Sequence, residues 1–194
     1  MSNNAIKKNF MDQLSQFVKK KFKVIIISLV VIFICFLSFL FYKDLQEKKN
    51  INIANQYSRA SILLKQNKIK ESSFLLEAII NKDHHFYSPL ALYLLIDSKK
   101  IKKEDSKIIF YFDKILKNGS ISDENIDLIK IKKAIYLINL DNEELIIKTL
   151  NPIINSSSVW RNIAINLISD YFLSKDQKIK SKEYMKLLTN KTNN

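Results

Sequence analysis

Catalysis and metal binding need particular side chains at particular spacings, and this chain offers few. Its two histidines, His84 and His85, are adjacent and follow Asp83. Adjacent residues on a helix or strand point in different directions, and a metal site needs further ligands. No second cluster of Cys or His exists in the sequence to supply them, so the pair is expected to be solvated in a turn. The acid pairs Glu104-Asp105 and Glu143-Glu144 have the composition of an acid/base couple. Both fit better as first-turn acids, where the helix dipole favours negative charge. One glycine, Gly119, cannot build a phosphate-cradling loop, and no Gly-x-Ser-x-Gly elbow is present. The single cysteine, Cys35, lies in an apolar run, which leaves the rest of the chain without disulfide or thiol chemistry. The reading is therefore of a protein that is not an enzyme, with no catalytic residue, metal or cofactor.

Charge points away from nucleic acid. The formal net charge is +13, and residues from Lys43 onward carry 26 basic and 18 acidic side chains, about +8. Nearly all the basic residues are lysine, Arg59 and Arg161 being the two arginines. Arginine's bidentate fork is the stronger mark of specific phosphate recognition. The chain is rich in Lys, Asn and Ile, the set expected from an AT-rich genome, so much of the charge reads as composition bias. Two lysine clusters, Lys99-Lys100 with Lys102-Lys103 and Lys130 with Lys132-Lys133, read as solvated faces. The sharper alternative for each is a contact with lipid headgroups or an acidic partner.

The apolar run sets the compartment. Residues Val24–Tyr42 are nineteen uncharged positions between Lys23 and Lys43. As a helix they cover roughly 28 Å, close to the hydrocarbon thickness of a bilayer. Ser28, Cys35 and Ser38 are the only polar side chains before Tyr42, so no polar stripe marks a soluble core helix. The run is longer than a signal-peptide core, and FLFYKDLQEKKN holds no small-residue cleavage site. An uncleaved single span is expected. The arm 1–23 carries Lys7, Lys8, Lys19, Lys20, Lys21 and Lys23 against Asp12, which puts the N-terminus in the cytoplasm and the remainder outside, the periplasm in a Gram-negative cell. Ile6, Phe10, Leu14, Phe17 and Val18 recur at helical spacing in the arm. An amphipathic helix on the inner leaflet and a flexible basic tail are both open readings of it.

Residues 43–189 read as one all-α domain, and 190–194 as a disordered tail. Proline occurs only at 89 and 152, and a β-rich domain would need more turn residues. Apolar periodicity predicts eight helices, near 52–66, 68–81, 88–99, 103–118, 123–140, 141–155, 157–174 and 176–188. Leu45–Ile53 is expected to continue the membrane helix into the first of them. Ser88 reads as an N-cap with Pro89 at the first helical position, and Ser122 as an N-cap above Asp123 and Glu124. Asn118-Gly119 reads as a C-cap, and Pro152 as a kink or frayed end.

The second helix of each pair carries an aliphatic doublet: Ile79-Ile80, Ile115-Leu116, Ile153-Ile154 and Leu187-Leu188, at intervals of 36, 38 and 34 residues. First helices carry Ala54, Ala91 and Ala164 at comparable places, with Ala134 offset. A helix–turn–helix period of this length implies units that bury their apolar faces by stacking. A non-repeating helical bundle is the competing fold.

The stretch ANQYSRASILLKQNKIKESSFLLEAIIN resembles a tetratricopeptide unit, with Tyr57 and Ala60 in its first helix, Asn67-Lys68 at the turn and Ser72 at the small packing position. A basic arm, one span and four such units resemble the ancillary Sec translocon subunit family of bacterial inner-membrane proteins. The resemblance implies a periplasmic repeat domain that contacts Sec channel subunits and emerging client proteins or chaperones. An envelope scaffold for cell division or outer-membrane assembly has the same architecture. Tyr57, Arg59, Tyr93, Tyr136, Trp160 and Arg161 are the candidate partner-binding residues. Packing within and between repeats is the competing role for the aromatic ones.

Overall fold

The computed structural model describes residues 2–98 and 105–189, and the side chains of 20–188 apart from Ile25 and Asp105. Lys99, Lys100, Lys102, Lys103, Glu104 and the tail 190–194 fall outside the described residues, and so do the side chains of the N-terminal arm. The described residues form eight helices and no strand: α1 Ser2–Lys65, α2 Ile69–Ile80, α3 Tyr87–Ser98, α4 Asp105–Leu116, α5 Asp123–Asn139, α6 Glu143–Ile154, α7 Arg161–Ser174 and α8 Lys178–Thr189. The chain divides into two compact units, residues 1–52 and 53–194.

In the first unit, α1 includes a segment long and apolar enough to cross a membrane. Its large apolar side chains, from Val24 through Phe41, are exposed where they are described. Exposed apolar surface of this extent marks a site of interaction with a membrane or another protein.

In the second unit the helices pack in chain order, α2 on α3 through α7 on α8, and α5 also touches α7. Two apolar clusters result. The first joins Ile53 and Ala60 of α1 to Leu76, Ile79 and Ile80 of α2, Ala91, Leu92 and Leu95 of α3, and Ile108, Phe112 and Ile115 of α4. The second joins Ala134 and Leu137 of α5 to Ile146, Leu150, Ile153 and Ile154 of α6, and Ala164, Ile165, Ile168 and Phe172 of α7. Of the aliphatic doublets, Ile79-Ile80 and Ile153-Ile154 are buried, Ile115 is buried beside a half-buried Leu116, and Leu187-Leu188 is half-buried; full burial is worth about 1.5–3 kcal/mol for a large side chain.

Three turns share one backbone form. Asn67, Asp141 and Asp176 each take positive φ, at 61°, 55° and 57°. In each case the following N–H reaches back five residues: Lys68 to the Leu63 carbonyl, Asn142 to Leu137, Gln177 to Phe172. This is the Schellman closure, which satisfies carbonyls left over at a helix end. Glycine is usual at the left-handed position, and Asn or Asp tolerates it at small cost. The interval from Asn67 to Asp141 is about twice that from Asp141 to Asp176.

Counted back from these turns, Ala60, Ala134 and Ser169 occupy the same place, all buried. Ala134 is thus offset from Ala54 and Ala164 and shares its place with Ala60 and Ser169 instead, and Ala54 is only half-buried. Across the turn, Ser72 Oγ donates to the Ala60 carbonyl at 2.8 Å, and the Ser169 hydroxyl lies 2.8 Å from that of Ser181. Small residues here let the paired backbones approach, and each hydroxyl finds a buried acceptor.

Several local expectations are corrected. α3 begins at Tyr87, before Ser88, and its cap is His84: Nδ1 accepts from the N–H groups of Phe86 and Tyr87, both at 3.1 Å. Ser88 instead returns the favour from inside the helix, its Oγ accepting from His84 N–H at 2.9 Å and donating to the Ile79 carbonyl at 3.0 Å. The arrangement is a reciprocal capping box with imidazole in the capping role, so His84 is structural and only His85 is a solvated loop residue. Gly119 has no positive φ and nothing near its missing Cβ, so it closes α4 without using glycine's freedom. Ser122 sits at the N-cap of α5 with extended backbone but no side-chain cap bond. α6 runs two residues past Pro152 and is capped by Asn142, whose side chain accepts from Leu145 N–H at 3.1 Å.

Candidate functional site: a cleft between α3 and α5

A cleft of about 240 Å³ opens between α3 and α5. Tyr93, Ile96 and Asp97 form the α3 wall, Lys132, Ile135, Tyr136 and Asn139 the α5 wall, and Phe112 of α4 contributes from the core. Phe112 and Tyr136 meet with ring centroids 6.2 Å apart, tying the floor to the first apolar cluster. Such an apolar floor with a few polar groups at the edge is the usual make-up of a recognition site.

The α3 wall carries an anomaly. The Tyr93 hydroxyl is buried and has no hydrogen-bond partner. Burial pushes its pKa up to about 12. A buried hydroxyl without a partner costs about 1–3 kcal/mol. Lys132 Nζ lies 5.8 Å from the centre of the Tyr93 ring, within range of a cation–π attraction.

The lysines of α5 differ sharply in their surroundings. Lys133 is buried, at 8% exposure, and its Nζ meets Asp113 Oδ1 at 2.6 Å. Lys130 pairs with Asp127 at 2.9 Å. Lys132 is exposed and, among the described residues, meets no acid at ion-pair distance. The expectation of one solvated lysine face is thus corrected: two of these three lysines close contacts within the domain, and one faces the cleft.

Three of the six candidate residues, Tyr57, Tyr93 and Tyr136, pack against the first apolar cluster. Tyr93 and Tyr136 face each other across the cleft. Tyr57 packs on Tyr87 with ring centroids 5.8 Å apart, and its pKa is raised by burial and by the charge of Asp97. Arg59 is exposed on α1. Trp160 packs against the second apolar cluster. Arg161 directs its guanidinium into the protein: Nε donates to the Ile154 carbonyl at 2.9 Å and Nη2 to the Leu187 carbonyl at 2.8 Å. Sequence reading missed Asp97 and gave Lys132 no role of its own, because nothing in the local pattern separates Lys132 from Lys130 and Lys133.

Two larger clefts have charged walls that are paired within the domain. One of about 450 Å³ includes Lys114, which pairs with Asp83 at 3.4 Å, and Asp113, which is paired with Lys133. One of about 390 Å³ includes Lys180, paired with Glu143 at 3.0 Å. Among the described residues, no group of three or more His, Cys, Asp or Glu is placed to hold a metal ion.

Fold and site together define an all-helical protein with one membrane-length apolar helix and a mixed apolar and charged cleft. The chain matches no known family model, no curated protein and no solved structure.

Proposed function

We propose that the chain is a membrane-anchored protein-interaction scaffold. In this reading residues 24–42 span a bacterial inner membrane once, with the N-terminus in the cytoplasm and residues 43–189 in the periplasm. The helices from residue 53 onward form a tetratricopeptide-like stack of about four hairpins. The repeated left-handed turns at Asn67, Asp141 and Asp176 and the repeated buried small residues at 60, 134 and 169 support the stack. The observation that carries the function is the cleft, where Tyr93, Tyr136 and Lys132 offer a protein partner an apolar floor and an available charge. Tethering raises the concentration of such a site next to other membrane proteins without any new contact.

The partner in this proposal is the Sec translocon, its emerging clients or their chaperones, a choice that rests on the resemblance of the architecture. It is tested by a photoreactive residue at Phe36 or Phe39, both exposed on the apolar segment, followed by identification of captured proteins. Capture of Sec channel subunits supports the assignment. Capture of cell-division or outer-membrane assembly proteins, without channel subunits, transfers the scaffold to that process. Recovery of the chain in the soluble fraction overturns the anchor.

A further inference from the structure

We infer that the α3–α5 cleft selects partner segments in which an acidic residue stands beside an apolar one, with Lys132 as the recognising cation. This rests on the reading of the chain as an interaction scaffold and specifies what the scaffold takes.

The inference comes from how charge is distributed on the cleft walls. Lys130 and Lys133 are neutralised by Asp127 and Asp113, whereas Lys132 is held over the Tyr93 ring with no carboxylate at ion-pair distance among the described residues. A ring contact orients an ammonium group but leaves its full charge available. Asp97 lines the same cleft from the opposite wall, and no ion pair joins it to Lys132 among the described residues. The two walls therefore carry opposite, separated charges above an apolar floor.

A ligand complementary to this arrangement puts a carboxylate toward α5 and an apolar side chain on Phe112, Ile135 and Tyr136. It turns backbone N–H groups or a basic residue toward Asp97. An acid placed beside Asp97 rather than beside the Lys132 ammonium would be repelled, so the charges also bias how the segment lies. A purely apolar segment would leave Lys132 facing its own apolar side chains, at a desolvation cost.

The test uses the full chain in nanodiscs and a random library of short bead-displayed peptides. Bound peptides are sequenced and compared with those held by empty nanodiscs. The expected result is enrichment of Asp or Glu next to Leu, Ile, Met or Phe. Lys132→Glu lowers that enrichment by about fivefold or more and shifts recovery toward Lys and Arg, as expected for reversal of a single interface charge. Lys182→Glu, on α8 away from the cleft, leaves it unchanged. Both lysines are exposed, and unchanged helical circular dichroism shows that each variant is folded. Enrichment of apolar peptides without acids, or enrichment that survives Lys132→Glu, overturns the inference and leaves the scaffold standing. Recovery no higher than from empty nanodiscs removes both.

Discussion

Arg161 provides the sharpest test of the structure. It opens α7, and its guanidinium joins the ends of two other helices, through the carbonyls of Ile154 on α6 and Leu187 on α8. Both carbonyls belong to last turns, which lack intrahelical partners, and a cation there also meets the negative end of each dipole. A hydrogen bond from a charged donor contributes about 1.5–3 kcal/mol. Arg161 is half-buried, so water competes and the low end applies; two bonds then total about 3 kcal/mol. Arg161→Met keeps the apolar stem and removes the donors. Its expected cost is about 3 kcal/mol, and Arg161→Lys recovers about half, because a single ammonium cannot serve both carbonyls. The assay is urea unfolding of the full chain in detergent, followed by fluorescence of Trp160. This is the only tryptophan in the chain, and it adjoins Arg161. The midpoint should fall while the slope stays constant. Arg59→Met is the control, expected within about 0.5 kcal/mol of the parent because Arg59 is exposed. If Arg161→Met also stayed within about 0.5 kcal/mol, the clamp would be refuted and Arg161 would return to the set of partner-facing residues.

Four further outcomes are expected. Tyr93→Phe removes a buried hydroxyl without a partner and should stabilise the domain by about 1 kcal/mol in thermal melts; a loss of stability would show that the hydroxyl has an acceptor. The His84 pKa is lowered by burial and then by neighbouring His85, and only the neutral ring can accept from Phe86 and Tyr87. Its folded value thus lies below the ordinary 6.5, so the cap's contribution is present above that pH and is lost as pH falls through the lower folded value. His84→Asn should flatten that part of the stability–pH curve, and a curve identical to the parent's would argue against the imidazole cap. Gly119→Ala should be neutral or stabilising by up to about 1 kcal/mol in urea unfolding, since the backbone there uses no positive φ; clear destabilisation would count against the assigned turn. Asn67→Val should cost about 1–2 kcal/mol while Asn67→Gly costs nothing, because a β-branched residue is strained at φ 61°; equal melting temperatures would count against the left-handed turn.

Helix identity was legible in the sequence because apolar periodicity is a local property. The helices predicted near 68–81, 141–155 and 176–188 lie within a few residues of α2, α6 and α8. The membrane-length run was legible for the same reason, as was Asn67-Lys68 as a turn. Caps were less so. Ser88-Pro89 looks like a helix start, yet the start depends on a histidine that hydrogen-bonds two and three residues ahead, a role composition does not advertise.

The cleft was legible only in part. Tyr93 and Tyr136 were singled out by type and by their place on first helices, and they do converge. Charge was not readable in this way. Lys130, Lys132 and Lys133 look alike in sequence, and their fates depend on which carboxylate the fold brings near: Asp127 one turn away, Asp113 on another helix, or none among the described residues. The same holds for Arg161, whose two acceptors lie seven and twenty-six residues away. What the sequence determined by itself was the set of helices, the apolar run and the absence of familiar catalytic motifs, since each follows from residue type and short-range spacing. Which charges are neutralised, which buried hydroxyls lack a partner and which arginine faces inward were decided only by tertiary structure, because an ion pair or hydrogen bond depends on a few ångströms between residues far apart in the chain.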